Sequence, residues 1–112
     1  MNDFHYLFVE THFPGDGLGD GEFIQGACDL ALAGRKVTLW LLQNGVLTLF
    51  WKSHELHSIL ATTNSLALYA DAFSMAQRSV DDAWIAAAGG HQGDMSLLVT
   101  QLMTPQCKVI WH

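Results

Sequence analysis

The 112-residue sequence carries 11 acidic and five basic side chains and a formal net charge of −6 at pH 7. Nucleic-acid binding depends on Lys and Arg contacts with phosphates, so this charge argues against nucleic acid and anionic membranes as partners. Half of the residues are hydrophobic and 14% are charged, which predicts a single domain over residues 1–112 that buries part of its apolar surface in a homo-oligomer.

The first elements in chain order predict a βαβ unit. Residues 4–11 (FHYLFVET) are an aromatic and β-branched run typical of a buried strand. Apolar residues recur at helical spacing from Phe23 to Ala31, and Gly34 marks the end of that helix. A second apolar run, VTLWLL, covers residues 37–42. A strand, a helix of about 12 residues and a strand imply a parallel sheet with a right-handed crossover.

Two structures are possible after the second predicted strand. Asn44-Gly45 between two apolar runs is a strong hairpin signal, which would make residues 46–51 a strand. Alternatively, Gly45 turns the chain into a helix that runs toward Leu60, and the polar residues from Ser53 onward favour a helix there. From the sequence alone, residues 46–51 can be either a strand or a helix.

The second half of the chain continues the α/β alternation. Residues 66–73 (LALYADAF) predict a third strand, and residues 74–85 (SMAQRSVDDAWI) are expected to be helical or turn-like. We expect a flexible loop at 89–94 (GGHQGD), a helix at 95–103 and a closing strand at 107–112 (CKVIWH). The pattern predicts an α/β domain with a mostly parallel, doubly wound sheet of about five strands and helices on both faces.

The glycine-rich stretch GDGLGDG (15–21) lies between the first strand and the first helix, where phosphate-binding loops occur. Its spacing is G-x-G-x-G instead of G-x-G-x-x-G, no Walker lysine follows, and Asp16 and Asp20 would repel phosphate. We therefore predict no nucleotide cofactor. We expect this loop to lie over the C-terminal edge of the sheet, where ligands of α/β proteins bind.

The spacing of the six histidines and two cysteines matches no metal-binding or catalytic motif. His54 and His57 lie one helical turn apart beside Glu55, but no H-E-x-x-H motif or cysteine pair completes a zinc site. We therefore predict no bound metal and no cofactor, and a small metal-binding enzyme stays an alternative. Cys28 is expected in the apolar face of the first helix, and nothing local would lower the pKa of Cys107, so neither thiol is expected to be a strong nucleophile.

Targeting and membrane signals are also absent from the sequence pattern. MNDFHYLFVE has no basic segment before its apolar residues, and no apolar run approaches the about 18 residues that span a bilayer. The two cysteines lack the spacing of a disulfide framework. We expect a cytoplasmic protein with two reduced thiols.

The most informative stretch is LALYADAFSMAQRSV (66–80), in which an apolar strand leads to Asp71 and Ser74 and Arg78 follows one turn later. This order, together with Gln43-Asn44-Gly45 after the second strand and the final strand, resembles the DsrE/DsrF/DsrH-like family, which includes the TusBCD-type sulfur-relay proteins. The resemblance covers about residues 4–111. It implies a parallel sheet flanked by helices on both faces, assembly as a trimer or hexamer, and a protein partner in sulfur transfer.

In active members of that family, a cysteine near the end of this middle strand carries a persulfide. The matching position here is Ser74, and Ser79 stands where the family has a glycine. A serine hydroxyl cannot hold a persulfide, because that exchange requires a thiolate. The resemblance therefore implies a non-catalytic or accessory subunit that binds a partner or a small ligand, and the alternative is an active sulfur carrier that uses Cys28 or Cys107.

Because parallel strands all end at one edge of a sheet, residues remote in sequence should meet there. The expected ligand pocket consists of Glu10, Thr11, Gln43, Asn44, Asp71, Ser74 and Arg78. We expect Arg78 to face inward and to pair with Asp71 or with an anion. The simpler alternative is that Asp71, Ser74 and Arg78 only cap and solvate the start of a helix.

An oligomer would also need apolar side chains outside the core. We expect this surface to include residues of the central helices: Phe50, Trp51, Leu56, Ile59 and Trp84. The composition supports some buried interface, whereas the number of subunits follows only from the family resemblance.

Overall fold

A computed structural model describes residues 4–13 and 20–112. Strands and helices alternate along these residues: β1 (His5–Glu10), α1 (Asp20–Leu32), β2 (Lys36–Leu41), a 3₁₀ helix (Gln43–Leu47), α2 (Thr48–Thr62), β3 (Leu66–Asp71), α3 (Ala72–Gln77), α4 (Asp82–Ala88), β4 (His91–Gly93), α5 (Met95–Leu102) and β5 (Cys107–Trp111). Of the predicted loop at 15–21, residues 15–19 lie outside the described residues, and Asp20 and Gly21 begin α1 instead. Within the described ranges, no helix has the length and apolar character needed to cross a bilayer.

The five strands form one parallel sheet in the order β4-β3-β2-β1-β5. The chain steps in one direction from β1 to β4 and then returns across the sheet to add β5 beside β1. This arrangement confirms the predicted α/β class with a doubly wound parallel sheet. The direction of the connections reverses between β1 and β5, so the topological switch point of the sheet lies between these two strands.

The strands are apolar on both faces because helices cover both faces. Successive strand residues point to opposite sides, which divides the core into two clusters. The larger cluster packs one face of the sheet against α1, α2 and α4 and includes Phe8, Leu39, Leu68, Ile24, Leu56 and Ile85. The smaller cluster packs the other face against α5 and consists of Leu7, Val9, Trp40, Leu42 and Leu98. Burial on both faces explains the nearly continuous apolar runs in the sequence.

Residues 43–62 are helical, so the helix alternative is right and the hairpin alternative is wrong. The 3₁₀ helix follows β2 and leads directly into α2. Gly45 permits this path because a Cβ at its position would overlap the carbonyl oxygen of Glu10. The amide of Leu42 donates to the same carbonyl at 2.9 Å. The backbone of the 3₁₀ helix therefore packs directly on the end of β1.

Two other boundaries differ from the prediction. The third strand ends at Asp71 instead of residue 73, because Asp71 caps α3, which begins at the next residue. The segment expected to be a flexible loop contains β4, which pairs with β3 through main-chain hydrogen bonds. Gly93 of β4 lies against the ring of Trp40, where a side chain would not fit. By contrast, the predicted last helix and closing strand are confirmed as α5 and β5.

Candidate functional site

The seven predicted pocket residues all lie at or just beyond the C-terminal ends of β1, β2 and β3. They fall into two hydrogen-bonded clusters. The β2–β3 cluster consists of Gln43, Asn44, Asp71, Ser74 and Arg78. The β1–β5 cluster consists of Glu10 and Thr11 together with two residues that were not predicted, His12 and His112.

The β2–β3 cluster is built around the N-cap of α3. Asp71 Oδ2 accepts hydrogen bonds from the Ser74 amide at 2.9 Å and from the Ser74 hydroxyl at 2.5 Å. The Ser74 hydroxyl accepts in turn from the Gln43 amide at 2.8 Å. Asp71 and Ser74 are both buried. The Ser74 hydroxyl therefore ties the end of β2 to the end of β3, with both its donor and acceptor roles in use.

Arg78 follows α3 and lies on the outer side of this cluster. Its Nε donates to Asn44 Oδ1 at 2.9 Å, and its Nη1 donates to the Ser74 carbonyl at 3.4 Å. Arg78 and Asp71, both described, form no ion pair, so the expected pairing with Asp71 is wrong, and the alternative pairing of Arg78 with an anion stays a prediction. The reason is local: Ser74 occupies Asp71 Oδ2, and Arg78 sits where the carbonyls at the end of α3 attract a cation. The helix-cap alternative describes Asp71 correctly, although the cap is buried and not solvated.

The β1–β5 cluster surrounds a fully buried carboxylate. Glu10 Oε1 and Oε2 lie 3.0 and 2.8 Å from His112 Nδ1, and Oε2 also accepts from the His12 amide at 3.1 Å. An ionised carboxylate only accepts hydrogen bonds, so His112 Nδ1 is the donor in this contact when Glu10 is charged. His12 Nδ1 lies 3.8 Å from Glu10 Oε2. A charged group this deeply buried needs such partners to offset its desolvation.

The fold holds His112 over the carboxylate by main-chain bonds that extend the pairing of β5 with β1. The His112 amide donates to the Val9 carbonyl at 2.9 Å, and the Thr11 amide donates to the His112 carbonyl at 2.8 Å. The Thr11 hydroxyl donates to that carbonyl as well, at 2.8 Å. The His112 ring stacks on Phe23 with 5.1 Å between ring centroids. The cluster thus lies at the switch point of the sheet, where doubly wound proteins bind ligands.

The histidines singled out from the sequence do not form the candidate metal centre. His54 and His57 are exposed on α2. Among the described His, Cys, Asp and Glu residues, the group close enough to share an ion is Glu10, His12 and His112, whose ligand atoms lie within 4.8 Å of one another. The available signal was that His12 and His112 each follow an apolar strand, but only the pairing of β1 with β5 brings them together.

Neither cysteine belongs to the two clusters. Cys28 is buried in α1 as predicted, beside a cleft between α1 and α2. Its burial, reinforced by the charge of Asp29, raises the pKa of its thiol to about 11. Cys107 begins β5 at the opposite end of the sheet from the clusters, and its burial also raises its pKa. A raised pKa means less thiolate and therefore a weaker nucleophile at neutral pH.

Comparison with models of protein families and with curated proteins finds no match to this chain. The features of the described residues that bear on function are therefore the two clusters and the two thiols.

Proposed function

We propose that this chain is a cytoplasmic, non-catalytic accessory subunit of a sulfur-relay type system that binds a partner or small ligand at the C-terminal edge of its sheet. One observation carries the proposal. Ser74 stands where the DsrE-like resemblance expects the carrier cysteine, and its hydroxyl donates a hydrogen bond to Asp71 and accepts one from the Gln43 amide. The position supports the structure of the edge and offers no group that can hold sulfur.

The direct experiment measures whether the protein takes up sulfur from a persulfide donor. Wild-type chain is incubated with a small-molecule persulfide, and the intact mass is measured under native conditions. We expect no sulfur uptake. Uptake of one sulfur atom per chain, lost on Cys28→Ser or Cys107→Ser substitution, would show that the chain is itself a carrier and would contradict the proposal.

A double variant tests the position. Ser74→Cys alone would place a thiol beside the Asp71 carboxylate, whose Oδ2 lies 2.5 Å from the Ser74 hydroxyl oxygen, and a neighbouring negative charge disfavours the thiolate. We therefore combine Ser74→Cys with Asp71→Asn. The new thiolate should attack the outer sulfur of the donor, break its S–S bond, release the donor thiolate and keep one sulfur as a persulfide.

The matched control is Asp71→Asn alone, which has the same altered cap but no thiol at residue 74. It should take up no sulfur. If the double variant folds and also takes up none, the correspondence of Ser74 with the carrier cysteine is wrong.

The rival function, sulfur transfer by Cys28 or Cys107, predicts a fast thiol in the native protein. The pKa of Cys28 is raised from 9.0 to about 11, which leaves about 100-fold less thiolate at pH 7.5 than an ordinary cysteine has. We expect native Cys28 in the Cys107→Ser variant to react with a disulfide reagent at least about 100-fold more slowly than in urea. Native Cys107 in the Cys28→Ser variant should react faster than Cys28. A Cys28 rate equal to that of the unfolded chain would revive the carrier function.

We also propose that the subunit assembles with copies of itself, as a trimer or a hexamer. Support comes from apolar side chains on the α2 and α4 side of the molecule: Phe50, Trp51 and Trp84 are 41%, 67% and 38% exposed. Of the other two residues expected there, Leu56 is buried because it faces the sheet within the larger core cluster, and Ile59 is half-buried. The proposed interface is therefore centred on the three aromatic rings.

Light scattering at micromolar concentration tests this assembly. We expect the mass of three or six chains for the wild type and a smaller mass for Trp51→Lys. Met103→Lys, which places the same charge at an exposed position after α5, is the control and should assemble like the wild type. A monomeric wild type would contradict the proposal.

A further inference from the structure

We propose that Glu10, His12 and His112 form a binding site for one divalent transition-metal ion, with Zn²⁺ as the representative ion. This site goes beyond partner binding and does not depend on the proposed function. It is the place at which the described residues bring a carboxylate and two imidazoles within 4.8 Å of one another. Glu10 is the last residue of β1, and His12 and His112 lie just past the ends of β1 and β5, at the switch point of the sheet.

The spacing of the ligand atoms suits a small ion. Zinc bonds to nitrogen and oxygen are about 2.0–2.1 Å, so two ligands of a tetrahedral ion lie roughly 3.3 Å apart. The Glu10 Oε2 atom lies 2.8 Å from His112 Nδ1 and 3.8 Å from His12 Nδ1. These two distances lie on either side of the required value, and all three ligand atoms lie within 4.8 Å of one another, so an ion would bind after side-chain rotation brings the two imidazole nitrogens closer together.

The donor set selects the class of metal. Two imidazole nitrogens and one carboxylate oxygen are borderline ligands that favour Zn²⁺ and its first-row neighbours, whereas Ca²⁺ and Mg²⁺ require shells of oxygen. Three protein ligands also leave at least one coordination position for water or a ligand, as in catalytic zinc sites and unlike closed structural ones.

Two of the three ligands are held in position by other contacts without a bound ion. The Glu10 carboxylate is fully buried and held by the His12 amide. His112 is held by its main-chain bonds to Val9 and Thr11 and by ring stacking on Phe23. His12 is the most exposed of the three, with 53% of its side chain accessible, and its ring lies 4.7 Å from the His112 ring. Binding at His112 Nδ1 requires the neutral tautomer with its proton on Nε2, so the ion would replace the hydrogen bond between His112 and Glu10.

The test is a calorimetric titration of ZnCl₂ into tag-free protein that carries Cys28→Ser and Cys107→Ser, so that neither a tag nor a thiol can supply ligands. We expect one ion per chain. His12→Ala should weaken binding by at least about 100-fold, because a lost ligand costs at least as much as a lost supporting residue. The control is His57→Ala, which removes an exposed imidazole from α2 and should bind like the parent protein.

Co²⁺ gives a second readout of the ligands. Four-coordinate Co²⁺ with nitrogen and oxygen ligands shows visible ligand-field bands, which we expect in the parent protein and in His57→Ala but not in His12→Ala. His12→Ala removes an exposed side chain, so it keeps the test decisive even if the buried substitution Glu10→Gln does not fold. The proposal is overturned if the parent binds no ion at one equivalent, if His12→Ala binds as tightly as the parent, or if His57→Ala abolishes binding.

Discussion

The two clusters at the C-terminal edge of the sheet differ in how far apart in sequence their contacting residues are. In the β2–β3 cluster, Asp71 is satisfied by Ser74, three residues away. In the β1–β5 cluster, Glu10 is satisfied by His112, 102 residues away in the chain. The first arrangement is a buried helix cap whose polar groups hold one another. The second arrangement pairs a buried carboxylate with two partly exposed imidazoles, and these side chains can exchange their mutual contacts for an ion.

The largest expected effect comes from breaking the link between the two clusters. Gly45→Ala places a methyl group where the Glu10 carbonyl lies, and backbone on both sides prevents an easy adjustment. We expect the free energy of unfolding to fall by roughly 3 kcal/mol, measured by urea denaturation.

Gly26→Ala is the control for this substitution. Gly26 lies in α1 with no heavy atom near the position of an added Cβ, so alanine should raise the free energy of unfolding by roughly 0.5–1 kcal/mol through its better helix propensity. Equal effects of the two substitutions would mean that the 3₁₀ helix does not pack on β1 as described.

The next largest effect distinguishes the buried N-cap of α3 from the exposed N-cap of α4. Asp71→Ala removes the acceptor of both the amide and the hydroxyl of Ser74 in a buried setting. We expect it to lower the free energy of unfolding by about 2 kcal/mol. Asp81→Ala removes an exposed cap that accepts from the Ala83 amide and should cost about 0.5–1 kcal/mol. Equal losses in urea denaturation would argue that the β2–β3 cluster is solvated.

The smallest effect concerns His5, at the opposite end of β1 from Glu10. Its burial, with a smaller contribution from Lys36, lowers the pKa of its imidazole. The unfolded chain therefore takes up this proton at a higher pH than the folded chain does. Stability should fall as the pH drops below about 6.5 toward the folded pKa.

His5→Gln isolates this contribution, since the amide can keep the hydrogen bond to Thr38 that His5 makes at 2.6 Å. Urea midpoints at pH 7.5 and pH 5.5 should differ less in the variant than in the wild type. An identical pH difference in the two proteins would show that folding does not disfavour protonation of His5.

Most of the fold was predictable because its strands are buried on both faces and appear as apolar runs. β4 was not predictable, because His91, Gln92 and Gly93 have no apolar pattern. Its position depends on main-chain pairing with β3 and on the small size of Gly93, which lies beside Trp40. Residues 46–51 were ambiguous because Asn44-Gly45 suits either a hairpin or a helix start, and the approach to the Glu10 carbonyl that decides between them is a tertiary contact.

The two clusters were predictable to different degrees for the same reason. Asp71, Ser74 and Arg78 lie within one short segment, so their proximity follows from local structure. His12 and His112 come together only because β5 pairs with β1, and the order of strands in a sheet cannot be inferred from apolar runs alone. Glu10 and Thr11 were therefore predictable at the edge of the sheet, but the two imidazoles beside them were not.

One measurement tests the contrast between the two clusters most directly. Zn²⁺ is titrated into ¹⁵N-labelled protein, and the backbone amide signals of both clusters are followed in one spectrum. The account predicts that the signals of Thr11, His12 and His112 shift up to one equivalent, while those of Gln43 and Ser74 stay in place. Shifts centred on the β2–β3 cluster or on α2, or no shifts at one equivalent, would contradict it.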